Sequence, residues 1–294
     1  MSAPAGRKSV LVTGGAGSVG REVSLLLAAR GHRVRVFDLP GCDFAALQGR
    51  AEVATGDITD PDAVRRAAAG VDVALHLAAI LPPHSERDRE ATLAVNVQGT
   101  ANVIAALADE SPDARLVLSS SVCVYGDTRD RPPPVRVFSP LQASDVYAES
   151  KIEAERLVRA GPLAHTVLRI SGVSVPAFWA PPEVWPFRAG QRIEFVCRRD
   201  VVQALIACVE REDAPRQVYN VAGGPTWRML GREYVARFNE VMGLPPEDAQ
   251  YDEGAAYFDW YDTGAAQAAL GYQQTSFERF IELLDAAIEA ALGE

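Results

Sequence analysis

Thr13-Gly14-Gly15-Ala16-Gly17-Ser18-Val19-Gly20 follows the apolar segment Ser9-Val10-Leu11-Val12 and opens a helical pattern at residues 20–29. That order, strand then glycines then helix, separates a dinucleotide-phosphate loop from an ordinary glycine turn. Gly14 permits the tight turn, Gly17 lets the backbone approach a pyrophosphate, and Gly20 allows the helix to pack closely on the sheet. Ser18 and Val19 then stand at the helix start, where free amides and the positive end of the helix dipole face phosphate.

Outward from this loop, short apolar runs alternate with helical patterns. Strands are expected at residues 9–13, 33–38, 51–55, 72–76, 115–119, 166–169 and 217–221. They are rich in Val and Leu without strict alternation, as suits strands covered on both faces. Helices are expected at 20–29, 62–69, 91–108 and 145–159, and Asp60-Pro61 supplies an N-cap followed by proline at the first helical position. The alternation predicts an α/β fold, a Rossmann-type doubly wound parallel sheet of about seven strands. After Arg169 the pattern changes. Residues 171–195 are rich in proline and aromatics, residues 244–263 are irregular, and helices are expected at 199–210 and 277–292. The expected division is a dinucleotide-binding domain at 7–170 plus 196–222, with a small substrate-binding cap at 171–195 plus 223–294.

Composition narrows the function classes. The chain has 294 residues, 48% hydrophobic and 23% charged, with a formal net charge of −10. An acidic surface disfavours nucleic acid as a partner. No continuous apolar run approaches the roughly 18 residues of a membrane helix, so no membrane partner is expected. The first eight residues lack the apolar core of a signal peptide. Cys42, Cys123, Cys197 and Cys208 show no metal-ligand spacing, so no metal is expected and reduced thiols in a cytoplasm are the reading.

The chemistry-bearing residues lie further on. Asp38 ends the second strand, where a carboxylate accepts from adenosine ribose hydroxyls and repels a 2′-phosphate, so NAD is expected rather than NADP. Arg21 and Arg35 are nearby cations, read as surface charges. Asp57, followed by Ile58, reads equally as a partner of the adenine amino group or as a turn aspartate. Tyr147 and Lys151 stand at i and i+4 and share one helix face. An ammonium beside a phenol favours the phenolate, so Tyr147 can act as base in oxidation and acid in reduction. A hydroxyl of the Ser119-Ser120-Ser121 triplet can orient the reacting oxygen. Trp179, Trp185, Tyr257 and Trp260 read equally as an aromatic substrate wall or as packing.

As a set, these residues resemble the extended short-chain dehydrogenase/reductase family, in its NAD-dependent epimerase/dehydratase branch. The resemblance adds His76-Leu77-Ala78-Ala79, Asn96-Val97-Gln98-Gly99-Thr100, Ser119 to Gly126 and Tyr219-Asn220-Val221. It implies Ser121 as the active-site hydroxyl, Tyr147 as the proton carrier, and Lys151 as a tuner of Tyr147 that also binds the nicotinamide ribose. It implies that Gly14, Gly17, Ser18, Val19, Gly20, Asp38, Asp57, Ile58, Leu77, Ala78, Ala79, Asn96 and Ser119 contact the dinucleotide. It also implies a homodimer paired through the helices at 91–108 and 145–159.

Departures from the family pattern bear on the substrate. Nucleotide-sugar 4,6-dehydratases resemble one another in an Asp-Glu pair where this chain has Val122 and Cys123, so a dehydratase is not expected. Reductoepimerases carry a base cysteine at the position of Cys123, which reads here either as that base or as a small packing residue. Cap arginines that grip a diphosphate in nucleotide-sugar enzymes align with Ile193 (Arg192 one residue earlier) and Asp252. The reading is therefore an NAD-dependent oxidoreductase or epimerase acting at a secondary alcohol or ketone of a sugar-like or natural-product small molecule, with Leu81, Ser121, Val122, Cys123, Arg192, Trp179 and Trp185 as candidate substrate contacts. A nucleotide-sugar 4-epimerase and a non-catalytic dinucleotide sensor are the alternatives.

Overall fold

The computed structural model describes residues 6–178, 180–211, 216–245, 248–254 and 258–293. Trp179, Tyr257 and Glu247 lie outside the described residues. Seven parallel strands, β1 (Ser9–Thr13), β2 (Arg33–Asp38), β3 (Glu52–Thr55), β4 (Val73–His76), β5 (Arg115–Ser121), β6 (Ala164–Ile170) and β10 (Gln217–Val221), form one sheet in the order β10-β6-β5-β4-β1-β2-β3. The order reverses between β1 and β4, where a doubly wound sheet opens its ligand crevice. The carboxyl ends of β1, β2, β4 and β5 carry Thr13, Asp38, His76 and Ser121 to that edge.

Apolar helix faces cover both sides. On one, α1 (Ser18–Ala29) and α6 (Arg198–Glu210) bury Val23, Leu27, Val202 and Leu205 against Val12, Val36 and Val117. On the other, α2 (Pro61–Ala68), α4 (Gly99–Glu110) and α5 (Val146–Ala160) bury Val64, Val103, Leu107, Ala154 and Val158 against Leu11, Ala74, Leu116 and Val167. The Asp60 side chain accepts from the amides of Asp62 and Ala63, with Pro61 behind it, so α2 starts where the sequence predicts.

The helix expected at 91–108 is three pieces. A short α3 (Arg89–Leu93) passes through a π-turn, Ala94–Gln98, into α4. The wide turn turns Asn96 toward the β4 loop, where its side chain bonds both the amide and the carbonyl of Ile80. Together Arg89–Glu110 span 22 residues with a window of mean hydropathy 1.3, enough by length and composition to cross a membrane. Reading only for unbroken apolar runs missed this, because Thr92, Asn96 and Asn102 interrupt the pattern. Val103, Ala106 and Leu107 pack into the sheet's core, which accounts for much of that apolarity.

Beyond β6, the short strands β7 (Val173–Ser174) and β9 (Val196–Cys197) pair in parallel, and β8 (Arg192–Glu194) pairs antiparallel with β11 (Arg228–Leu230). With α7 (Gly231–Met242), α8 (Gly264–Leu270) and α9 (Phe277–Leu292) they complete the described elements. An aromatic cluster that includes Trp185, Phe187, Phe195, Trp227, Tyr234, Phe277 and Phe280 fills the space between β8, α7 and α9.

Candidate active site

The glycines divide by what surrounds them. Gly14 has φ +69°, and a Cβ there would stand 2.7 Å from the Ala78 amide nitrogen; one on Gly20 would stand 2.2 Å from the Gly14 carbonyl oxygen. Those two positions exclude a side chain because backbone meets backbone. A Cβ on Gly17 would meet only the Gly14 carbonyl, at 3.3 Å. Gly17 caps α1 without any side-chain hydrogen bond, and the first turn of α1 holds no acidic residue. The positive helix end is thus left for an external anion.

Asp38 sits against this loop. Its carboxylate accepts from the amides of Ala16 and Leu39, both at 2.9 Å. Arg35 turns away to Glu52 and to the carbonyls of Ala67 and Ala69. Arg21 donates to the Ala16 carbonyl. Asp57 accepts from the amide and hydroxyl of Thr59, a turn role that leaves it on the wall of the cleft.

Two cavities share Gly14, Gly17, Leu77 and Leu81 and so form one cleft. The first, about 520 Å³, is lined by Asp38, Asp57, Ile58, Ala78 and Ala79 among others. The second, about 470 Å³, is lined by Ser18, Val19, Gly20, Ser119, Ser121 and Tyr147 among others. A long cleft, a carboxylate at one end, an uncapped helix start in the middle and a phenol at the other end fit an extended dinucleotide.

At the phenol end, α5 presents Tyr147 and Lys151 on one face. Lys151 is 4% exposed, and burial pushes its pKa down to about 8. Its Nζ donates to the Ser119 carbonyl at 3.0 Å and lies 5.6 Å from the centre of the Tyr147 ring. Ser121 Oγ accepts from the Cys123 amide at 3.2 Å; that contact uses a lone pair and leaves the O–H to donate. Beneath them Glu155 and Arg169 form a buried two-pronged pair, and Ser120 donates to the same Glu155. This network ties β5, α5 and β6 together directly under the reacting groups.

Sequence reasoning missed Glu86 and Asp145. Glu86 accepts the amides of Val146 and Tyr147, and Asp145 caps α5 at the Ala148 amide while lining the cleft. Burial, with Glu86 beside it, holds the Asp145 carboxyl above its ordinary range. Asp145 directly before a helical pattern is an N-cap signal; nothing in the sequence ties Glu86 to a helix start 60 residues away.

Several predicted contacts stand elsewhere. Asn96 is buried behind the cleft, where it bonds Ile80 and the Ser150 hydroxyl. Val122 packs with Val124, Tyr125 and Ala222 on the far side of its turn. Trp185 packs in the aromatic cluster and lines a neighbouring cavity, not the catalytic cleft itself. Arg192 binds the Asp259 carboxylate through two nitrogens, at 2.6 and 2.9 Å, and faces a separate cavity. Cys123 does line the cleft, but burial pushes its thiol up to about 12. His76 is held between the Thr13 and Thr100 hydroxyls as a strand-end residue.

Comparison with known proteins agrees with this geometry. The NAD dependent epimerase/dehydratase family profile matches residues 10–177. The chain is 36% identical over 156 residues to a 3 beta-hydroxysteroid dehydrogenase/Delta 5-->4-isomerase of Mycobacterium tuberculosis, covering 51% of this chain and 42% of that protein. It is 31% identical over 182 residues to a D-erythronate dehydrogenase of Cupriavidus necator, covering 57% of this chain and 56% of that protein. The matches thus span about half the length of these curated relatives. Among solved structures, a UDP-glucose 4-epimerase of Thermotoga maritima superposes with a TM-score of 0.82 at 22% identity, covering 97% of this chain and 99% of that one. The chain belongs to the NAD-dependent epimerase/dehydratase family, extended short-chain dehydrogenases/reductases whose cofactor is NAD.

Proposed function

We propose that this protein oxidises or epimerises a secondary alcohol of a small-molecule substrate by hydride transfer, with residues 171–195 and 223–294 acting as the substrate-binding cap. Bound NAD supplies the hydride acceptor and donor. In the oxidising direction the substrate O–H proton passes to the Tyr147 phenolate as the carbinol C–H leaves with its electron pair; in the reducing direction Tyr147 returns the proton to the carbonyl oxygen. Ser121 donates to the same oxygen and orients it. Lys151 favours the phenolate by its charge. The observation that carries the reading is the meeting of Ser121, Tyr147 and the glycine loop in one cleft.

The buried, protonated thiol of Cys123 supports its packing role over a base. Nucleotide-sugar 4-epimerisation is the second reading, favoured by solved structures of this fold such as MoeE5 in complex with UDP-glucuronic acid and NAD, 25% identical with a TM-score of 0.80. Against it, Ile193 is fully buried and Arg192 is already paired. Pairing with a second copy through α4 and α5 is also proposed, supported by the 44% burial of the apolar window in Arg89–Glu110.

The test is to purify the native protein, denature it and identify any released dinucleotide by mass spectrometry. Stoichiometric NAD favours an internal redox cycle, as in an epimerase. An empty site that binds NAD reversibly favours a dehydrogenase. Release of NADP, or no affinity for either nucleotide, contradicts the reading.

A further inference from the structure

The catalytic cleft does not end at Tyr147. Its wall residues Gly172, Val173 and Phe258 also line a second cavity of about 410 Å³. That cavity runs between the segment after β6 and the aromatic cluster, walled by Pro181, Pro182, Trp185, Phe195, Tyr234 and Phe238. Its one buried side-chain polar pair among the described residues, Ser174 Oγ and Tyr234 OH at 3.0 Å, is mutually satisfied. Apolar surface meets solvent where the two spaces join: Val173, which lines both, is 40% exposed, and Leu81 on the cleft's wall is 56% exposed. Scattered apolar residues on a surface need no cause, but a cluster at the mouth of a cavity marks a binding surface.

Phe258 also lines a third cavity, the one that Arg192 faces. Arg129, Arg188 and Arg192 all line it. Each is paired with a carboxylate of this chain: Asp127, Glu253 and Asp259 respectively. An entering diphosphate would meet the Glu253 and Asp259 side of the same wall and find each arginine already paired, so the cavity offers it little net attraction.

We infer that the aromatic-walled cavity holds the apolar body of the substrate, a ring-bearing secondary alcohol or ketone whose reacting oxygen reaches Ser121 and Tyr147, and that the enzyme is not selective for nucleotide sugars. The inference rests on the hydride-transfer reading for its orientation, not for the existence of the apolar subsite.

The test uses NAD-loaded protein, naphthylethanol as the apolar probe, erythritol as a polar secondary alcohol, and uridine diphosphate as competitor. Two variants change the cavity at residues that line it and not the catalytic cleft: Ala177→Trp fills it, and Val175→Asp puts a carboxylate on its wall. Thermal melting verifies that each is folded. Naphthylethanol is expected to bind the wild type, to bind a folded variant roughly tenfold or more weaker, and to be undisturbed by uridine diphosphate; erythritol oxidation should be unchanged. Naphthylethanol failing to bind, binding a folded variant as well as wild type, or being displaced by uridine diphosphate would overturn the inference. Cavity-dependent binding with neither net reduction of NAD nor passage of carbinol deuterium into the bound NAD from any deuterated alcohol would uphold the apolar subsite and sink the hydride-transfer reading instead.

Discussion

The Lys151 ammonium lies 5.6 Å from the centre of the Tyr147 ring and donates at 3.0 Å to the Ser119 carbonyl, one strand away. The position is costly. Burial lowers its pKa from 10.5 to about 8, so between those values the unfolded chain holds a proton that the folded chain has released. Stability therefore rises with pH across that window, and at neutral pH the folded state bears a penalty on the order of 3 kcal/mol. Lys151→Met is expected to raise the melting temperature of the NAD-free protein at pH 7, with the gain shrinking toward pH 10, while turnover falls by about a hundredfold or more. Melting curves at both pH values with a parallel rate assay check this.

His76 sets a limit on the acid side. Burial lowers its pKa from 6.5 to about 3, with Lys151 adding in the same direction. Below pH 6.5 the unfolded chain takes up a proton that the folded chain excludes, so stability falls as pH falls. A loss of about 2 kcal/mol by pH 5 is expected from this residue. Urea unfolding at pH 7 and pH 5 should show it, and His76→Asn should lose this residue's share of the pH dependence.

The glycines are separable by experiment. Gly20→Ala is expected to destabilise the fold, because its Cβ would stand 2.2 Å from the Gly14 carbonyl oxygen. Gly17→Ala meets only the Gly14 carbonyl oxygen, at 3.3 Å, so that atom must give by a few tenths of an ångström; it should cost far less stability than Gly20→Ala, yet weaken NAD roughly tenfold or more by blocking close backbone approach to the pyrophosphate. Calorimetric titration with NAD beside a melting curve distinguishes the two.

The Glu155–Arg169 pair is 1% and 2% exposed at its side chains. Removing one buried charge leaves the other uncompensated, at about 3–5 kcal/mol. Glu155→Gln should therefore unfold at markedly lower denaturant than wild type. Chemical denaturation at neutral pH measures it.

The sheet and the site were legible to different depths. All seven sheet strands fall where the apolar runs put them; the central ones are apolar because both their faces are covered, whereas the edge strand β3 is largely exposed. Gly14, Gly17, Asp38, Ser121 and Tyr147 line the cleft; the strand-loop-helix order pointed to the first three, the i, i+4 spacing to Tyr147, and the family resemblance to Ser121. After β6, α6, β10 and α9 lie where the sequence put them, but the other elements were not read. Strands β8 and β11 are three residues each, too short for a period, and α7 and α8 went unread among turn and polar residues. The pairing of Arg192 with Asp259 joins residues 67 apart, so from sequence Arg192 looked available to a substrate. Trp185 read equally as wall or core, and it serves as both: Phe187, Tyr234 and Phe238 pack around it while it lines the neighbouring cavity.

The central claim is that Tyr147 moves the proton that accompanies hydride transfer. The direct measurement is the near-ultraviolet absorbance of reduced nicotinamide after mixing NAD-loaded protein with secondary alcohols, comparing wild type with Tyr147→Phe. The account predicts reduction by wild type, and in the variant a rate lower by about a hundredfold to ten-thousandfold with NAD affinity nearly intact. Equal rates in the two proteins would contradict it.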